Sequence, residues 1–123
     1  MAEEKGYSLT EVNREPEVMT DMARKHMSVI DIPKRIEAGK PFCARVKVGG
    51  IDGVEHPDLL GHYIHWLELW ADERLLARAD FYPTVSQPEA TFTVILEGPA
   101  TLRALEFCNL HGIWESSQEV AVE

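Results

Sequence analysis

Between Phe42 and Cys108 the chain repeats one pattern: short runs in which apolar and polar residues alternate, each closed by turn residues. Phe42, Ala44, Val46 and Val48 alternate with Cys43, Arg45 and Lys47, and Gly49-Gly50 ends the run. A period of two places one set of side chains on a buried face and the other in water, the signature of a strand. Tyr63 to Trp70 is aromatic and leucine-rich, dense enough for a central strand. Leu75 to Tyr82 follows an Asp72-Glu73 turn and predicts a hairpin partner. Phe92, Val94 and Leu96 alternate with Thr91, Thr93 and Ile95. After Gly98-Pro99, Leu102, Ala104, Glu106 and Cys108 alternate with Arg103, Leu105 and Phe107, and a last strand is expected over 117–122. Short strands punctuated by turns have few ways to bury their apolar faces. The expectation is an all-β fold: an immunoglobulin-like antiparallel β-sandwich of about seven strands.

Residues 1–21 lack this periodicity and read as an extended N-terminal arm, with a short helical turn after Thr20; residues 22–123 form the sandwich domain. A chain of 123 residues is of single-domain size. No apolar run approaches the roughly 18 residues of a membrane span. The opening MAEEKGYSLTEV has neither the basic nor the apolar region of a signal peptide, so a cytoplasmic location is expected. Two cysteines do not make a disulfide framework. The net charge of −9 argues against nucleic acid and anionic membranes as partners. Its distribution is uneven: residues 22–50 hold seven bases against two acids, while residues 51–123 hold three bases against thirteen acids. Such a segment is usually a solvated face, but it is also where a small anion would be drawn.

Five side chains suit a metal. His56 and His62 stand six apart in a loop marked by Pro57 and Gly61. Cys108 and His111 stand three apart where a strand ends and turns, and His26 follows Arg24 and Lys25. Singly, each histidine is more often a surface residue than a ligand. Together they fall in loops or beside strand ends, where a sandwich carries function. Structural zinc takes four ligands, usually including several cysteines. Imidazole suits iron, zinc and copper alike. A blue-copper site would want a methionine after the second histidine, and none follows His111. A five-ligand square pyramid would leave one position open to a small molecule.

The segments KHMSVI, HPDLLGHYIHWLEL, SQPEATFTV and TLRALEFCNLHGIWES resemble the superoxide reductase family, in particular its one-iron neelaredoxin type, which is related to the iron-binding domain of desulfoferrodoxin. The resemblance runs from about Lys25 to Glu115 and is carried most specifically by CNLHGIW together with HPxxxxHYI. No cysteine precedes Cys43, so the rubredoxin-like module of the two-iron members is not expected. The resemblance implies one iron ion per subunit, held by His26, His56, His62 and His111 around it and by Cys108 on the axis. It implies reduction of superoxide to hydrogen peroxide, with Lys25 near the open position drawing in the anion and helping to deliver protons. It also implies rubredoxin or a similar small electron donor, and a homotetramer. The alternative reading is a non-catalytic iron or copper electron-transfer module on the same ligands.

Three positions depart from the family pattern. Arg24 stands where a glutamate is usual, so water, hydroxide or an open position is expected opposite the sulfur in the oxidised protein, with Glu15 and Glu17 the only acids nearby in sequence. Ser28 replaces a usual proline and Asp58 a usual methionine. Cys43 is expected to be a free thiol without a role, and His65 to face away from the metal. Trp66, Trp70 and Phe92 are expected in the core, and Trp114 beside Cys108, where turn N–H groups could reach the sulfur and the Asn109 side chain could fix the turn.

Overall fold

The computed structural model describes residues 6–123, so the first five residues of the expected arm lie outside the description. Strands β1 (Ser28–Asp31), β2 (Phe42–Val48) and β5 (Glu89–Val94) form one sheet in the order β1-β2-β5. Strands β3 (Ile64–Ala71), β4 (Arg74–Asp80), β6 (Ala100–Cys108) and β7 (Gly112–Val120) form the other, in the order β4-β3-β6-β7. Every pairing is antiparallel. This is the all-β sandwich expected from the alternation.

The core fills the space between the sheets. Ala44, Val46 and Val48 from β2 meet Leu67 and Leu69 from β3 and Leu102 and Ala104 from β6, all essentially without exposure. Burying a Val or Leu side chain contributes roughly 1.5–3 kcal/mol, so these faces dominate stability. The alternate residues Cys43 and Arg45 are exposed, as the period of two requires.

Trp66 and Trp70 correct an expectation. They are half-buried, out of phase with the buried Leu67 and Leu69. Arg78 lies 4.8 Å from the Trp66 ring centre, Arg103 lies 5.7 Å from that of Trp70, and Trp70 Nε1 donates to Glu68. An indole can be covered this way by guanidinium stems rather than by core. Phe92 does pack against the core, though partly exposed. The last strand begins at Gly112, five residues earlier than expected.

One short helix, α1 (Asp21–His26), precedes β1. Thr20 caps it, its hydroxyl accepting from the Ala23 N–H at 3.1 Å, and Asp21 sits in the first turn. The hydroxyl cap satisfies an N–H group that would otherwise be unpaired, and the early acid suits the positive end of the helix dipole. The helix stops at His26, and Met27 returns to extended backbone. No helix of the described residues is long and apolar enough to cross a membrane.

Candidate metal centre

Three backbone features converge at one end of the sandwich. The first is the end of α1, which presents Lys25 and His26. Gly49 holds it there: its φ is +77°, and a Cβ would stand 2.7 Å from the Lys25 carbonyl oxygen and 3.1 Å from the His56 nitrogen. Its own N–H donates to Met27 O at 2.9 Å. Only a residue without a side chain allows the end of β2 to touch both ligand-bearing segments.

The second is the loop 56–62, closed by reciprocal backbone hydrogen bonds between Leu59 and His62 at 2.9 and 3.1 Å. The third is the turn of the β6–β7 hairpin, in which Cys108 pairs with Gly112. Asn109 ties these two together. Its Oδ1 accepts from the Tyr63 N–H at 2.9 Å and its Nδ2 donates to Gly61 O at 3.0 Å. The Asn109 side chain, expected to fix its own turn, instead anchors that turn to the histidine loop.

The donor atoms of His26, His56, His62 and Cys108 all lie within 4.8 Å of one another. His111 stands beside them, its ring 5.0 Å from that of His26 and 4.9 Å from that of His62, with Nδ1 3.8 Å from the Cys108 sulfur. The outward nitrogens are engaged. His26 Nδ1 lies 2.7 Å from Met22 O and His56 Nδ1 2.6 Å from Pro57 O, so each must carry its proton there and turn an Nε2 lone pair inward. His56 Nε2 points at the Cys108 sulfur, 3.3 Å away. The Nε2 atoms of His26 and His62 are buried with no hydrogen-bond partner. Buried nitrogens are rarely left unsatisfied. Inward-facing imidazole nitrogens whose far sides are held by carbonyls are the arrangement of metal-binding histidines. The residues present therefore fit a transition-metal ion with a nitrogen-rich, single-thiolate donor set.

Electrostatics agree. Burial, with smaller contributions from the neighbouring imidazoles, lowers His26 to about 3 and His56 to about 4. His62 is also lowered, by burial and then by the Lys25 charge. All three are neutral at pH 7, as ligands must be. Burial raises the Cys108 thiol to about 11, opposed by the Leu110 and His111 backbone N–H groups that hydrogen-bond the sulfur. An ion must displace that proton, and the two N–H groups would then support the thiolate.

Lys25 is half-buried and close enough for its charge to act on His56, His62 and Cys108. Arg24 turns to Asp21 and Asp52, 3.0 Å from each. Glu15 and Glu17 are exposed on the arm, and no carboxylate of the described residues joins the donor group. His65 stacks on Phe107 at 5.2 Å, outside the group. Trp114 stacks on the His26 ring at 4.9 Å and donates to His111 O in the turn that follows Cys108, buttressing two of the histidines.

Sequence reasoning missed three contributors. Gly49 was visible only as a strand end. Tyr7, in a segment without periodicity, packs its ring 4.7 Å from His111. Glu106 was visible on the inward face of β6 but not as a buried carboxyl group that lacks any hydrogen-bond partner.

The family model for desulfoferrodoxin matches residues 18–117. The superoxide reductase of Thermococcus kodakarensis is 32% identical over 108 residues, covering 80% of this chain and 88% of that protein. The desulfoferrodoxin of Desulfarculus baarsii is 37% identical over 92 residues, covering 75% of this chain and 61% of that protein. Among solved structures, the superoxide reductase (neelaredoxin) of Ignicoccus hospitalis superposes with a TM-score of 0.79 at 33% identity, covering 91% of this chain and 95% of that one. Sequence and fold agree over the same stretch that builds the histidine and cysteine cluster, and the chain belongs to the desulfoferrodoxin family of superoxide reductases.

Proposed function

We propose that this protein is a superoxide reductase whose single iron ion is held by His26, His56, His62, His111 and Cys108. The observation that carries the reading is the convergence of unpartnered, buried Nε2 atoms with the Cys108 sulfur. Family membership selects iron from the metals that such a donor set accepts. Residues 22–123 form the catalytic domain in this reading and residues 1–21 its arm. A rubredoxin-like donor, a homotetramer and a cytoplasmic location are carried by the resemblance.

Ferrous iron bound there supplies the one electron that superoxide takes up. The chain's own residues do the rest. The imidazoles would hold the ion without cancelling its charge, and the thiolate would donate electron density to it. The N–H groups of Leu110 and His111 moderate that donation by hydrogen-bonding the sulfur. The Lys25 ammonium attracts the anion and holds protons at Nζ beside the site. Superoxide gains one electron and two protons and leaves as hydrogen peroxide, with no dioxygen released.

The test is the absorption spectrum of the oxidised, iron-loaded protein beside Cys108→Ser, followed by product analysis. A visible thiolate-to-ferric band absent from the variant is expected, with hydrogen peroxide formed and no dioxygen evolved. No band in protein shown to contain iron would remove Cys108 as a ligand. Iron bound through sulfur without peroxide formation would reduce the protein to an electron-transfer module.

A further inference from the structure

Arg24 stands where the family pattern has a glutamate, and the fold gives it an occupation of its own. Its guanidinium joins two carboxylates: Nε donates to Asp52 Oδ2 and Nη1 to Asp21 Oδ1, both at 3.0 Å. Asp21 lies one turn earlier on the same helix, whereas Asp52 sits 28 residues on, in the turn that leaves β2.

That turn is well defined. Asp52 and Gly53 are its central residues, with φ of +53° and +80°, as a primed two-residue turn requires. Ile51 and Val54 pair across it, and the Val54 N–H donates to Ile51 O at 3.0 Å. Ile51 packs against the small cluster of Ala23, Met27 and Trp114. The turn therefore meets α1 twice, through the Ile51 side chain and through the Asp52 carboxylate on Arg24.

Helix α1 needs such contacts. With six residues it is too short to hold a direction by its own hydrogen bonds. Successive residues point about 100° apart around a helix, so the direction of Arg24 is tied to that of Lys25. Lys25 is half-buried, and its charge acts on His56, His62 and Cys108.

We propose that Arg24 is a positioning residue for Lys25: its ion pair with Asp52 sets the rotation of α1 about its axis and so aims the Lys25 ammonium at the metal centre. The proposal rests on the reading of Lys25 as the group that draws in superoxide.

Charge and position predict opposite signs at Asp52. As a charge alone, an acid beside the segment that carries Lys25 repels an anion, and its removal would speed capture. As the anchor of Arg24, its removal slows capture. Asp52→Asn and Asp52→Gly in the full, iron-loaded chain separate the two, because both residues suit the primed turn. The second-order rate with superoxide should fall in both, by roughly two- to fivefold in Asp52→Gly, the range that a partly exposed ion pair supports. Neither substitution should slow the reaction further in a Lys25→Ala background. Iron content and absorption spectrum should match the parent. In the zinc-loaded protein, the NMR signal of Lys25 Cε, identified by its loss in Lys25→Ala, should shift in Asp52→Gly. An unchanged or raised rate in both Asp52 variants, a fall that persists without Lys25, lost iron or an unmoved Lys25 signal would each overturn the proposal alone. No loss of rate in Lys25→Ala would overturn the reading of Lys25 and the proposal with it.

Discussion

At the scale of single residues, the most costly side chain is Glu106. It is fully buried on the inner face of β6, level with Leu67 and Trp114 on its neighbours, and neither oxygen has a hydrogen-bond partner. Burial raises its pKa well above the ordinary carboxylate value, so the fold retains a proton that the unfolded chain would lose. The native state then binds more protons than the unfolded state at neutral pH, and this residue's contribution to stability falls as pH rises above about 4.5. Glu106→Gln mimics the protonated form. The metal-free variant should melt above the parent at pH 7, with the gap closing towards pH 4; a gap independent of pH would mean that Glu106 is ionised in the fold. Lys25 makes the opposite kind of contribution, to rate rather than stability. Lys25→Ala should lower the second-order rate with superoxide by somewhere in the range of about 10–10³ and flatten its salt dependence. An unchanged rate and salt slope, measured after rapid generation of superoxide, would remove Lys25 from the mechanism.

At the scale of elements, the site depends on contacts between segments distant in sequence, and Gly49 is the sharpest case. Gly49→Ala must move the end of α1 or loop 56–62, because the added methyl would overlap backbone rather than a yielding side chain. The strain at its positive φ alone is about 1–3 kcal/mol. Thermal unfolding should show at least that loss, with weakened iron binding; Gly53→Ala, also at positive φ but with open space around it, serves as the comparison. If both variants bind iron alike, the packing of Gly49 against Lys25 and His56 is not what builds the site. The same distinction explains what could be read in advance. Strands β2 and β6 were legible because alternation is local and one face of each strand is buried. The start of β7 was not, because Trp114 and the adjacent Glu115 are both buried, which breaks the period of two. Trp114 is covered by His26, and Glu115 by the arginines Arg14 and Arg103. Those partners lie in the arm, the helix and another strand, and no window of sequence around residue 114 contains them. The ligand candidates themselves were legible as histidines and a cysteine in loops. Their outward hydrogen bonds to Met22 and Pro57 carbonyls were not, since any residue supplies a carbonyl.

At the scale of the molecule, the basic segment 22–50 is less of an anion attractor than its composition suggests. Ion pairs take up Arg24, Arg35, Lys40, Arg45 and Lys47, whereas no ion pair among the described residues takes up Lys25 or Lys34, and of these two it is Lys25 whose charge acts on His56, His62 and Cys108. In an acidic protein the attraction of superoxide is therefore concentrated at one ammonium beside the site. The whole fold also senses the metal through protons. Without an ion, His26 and His56 stay neutral down to about 3 and 4, while the unfolded chain's histidines protonate near 6.5. The native state then binds fewer protons than the unfolded state, so the contribution of these residues to stability is present above pH 6.5 and is lost as pH falls towards 4. An ion reverses the vulnerability by occupying the nitrogens, and it must expel the Cys108 proton to do so, because the thiol is held up at about 11. Calorimetric titration of the metal-free protein with zinc at pH 7.5, in buffers of different ionisation enthalpy, should show release of about one proton per ion. Cys108→Ser should release about one proton fewer, since His26, His56 and His62 are already neutral at that pH. Equal proton release from the parent and the variant would mean that the thiolate is preformed, and that the N–H groups of Leu110 and His111 outweigh burial at the sulfur.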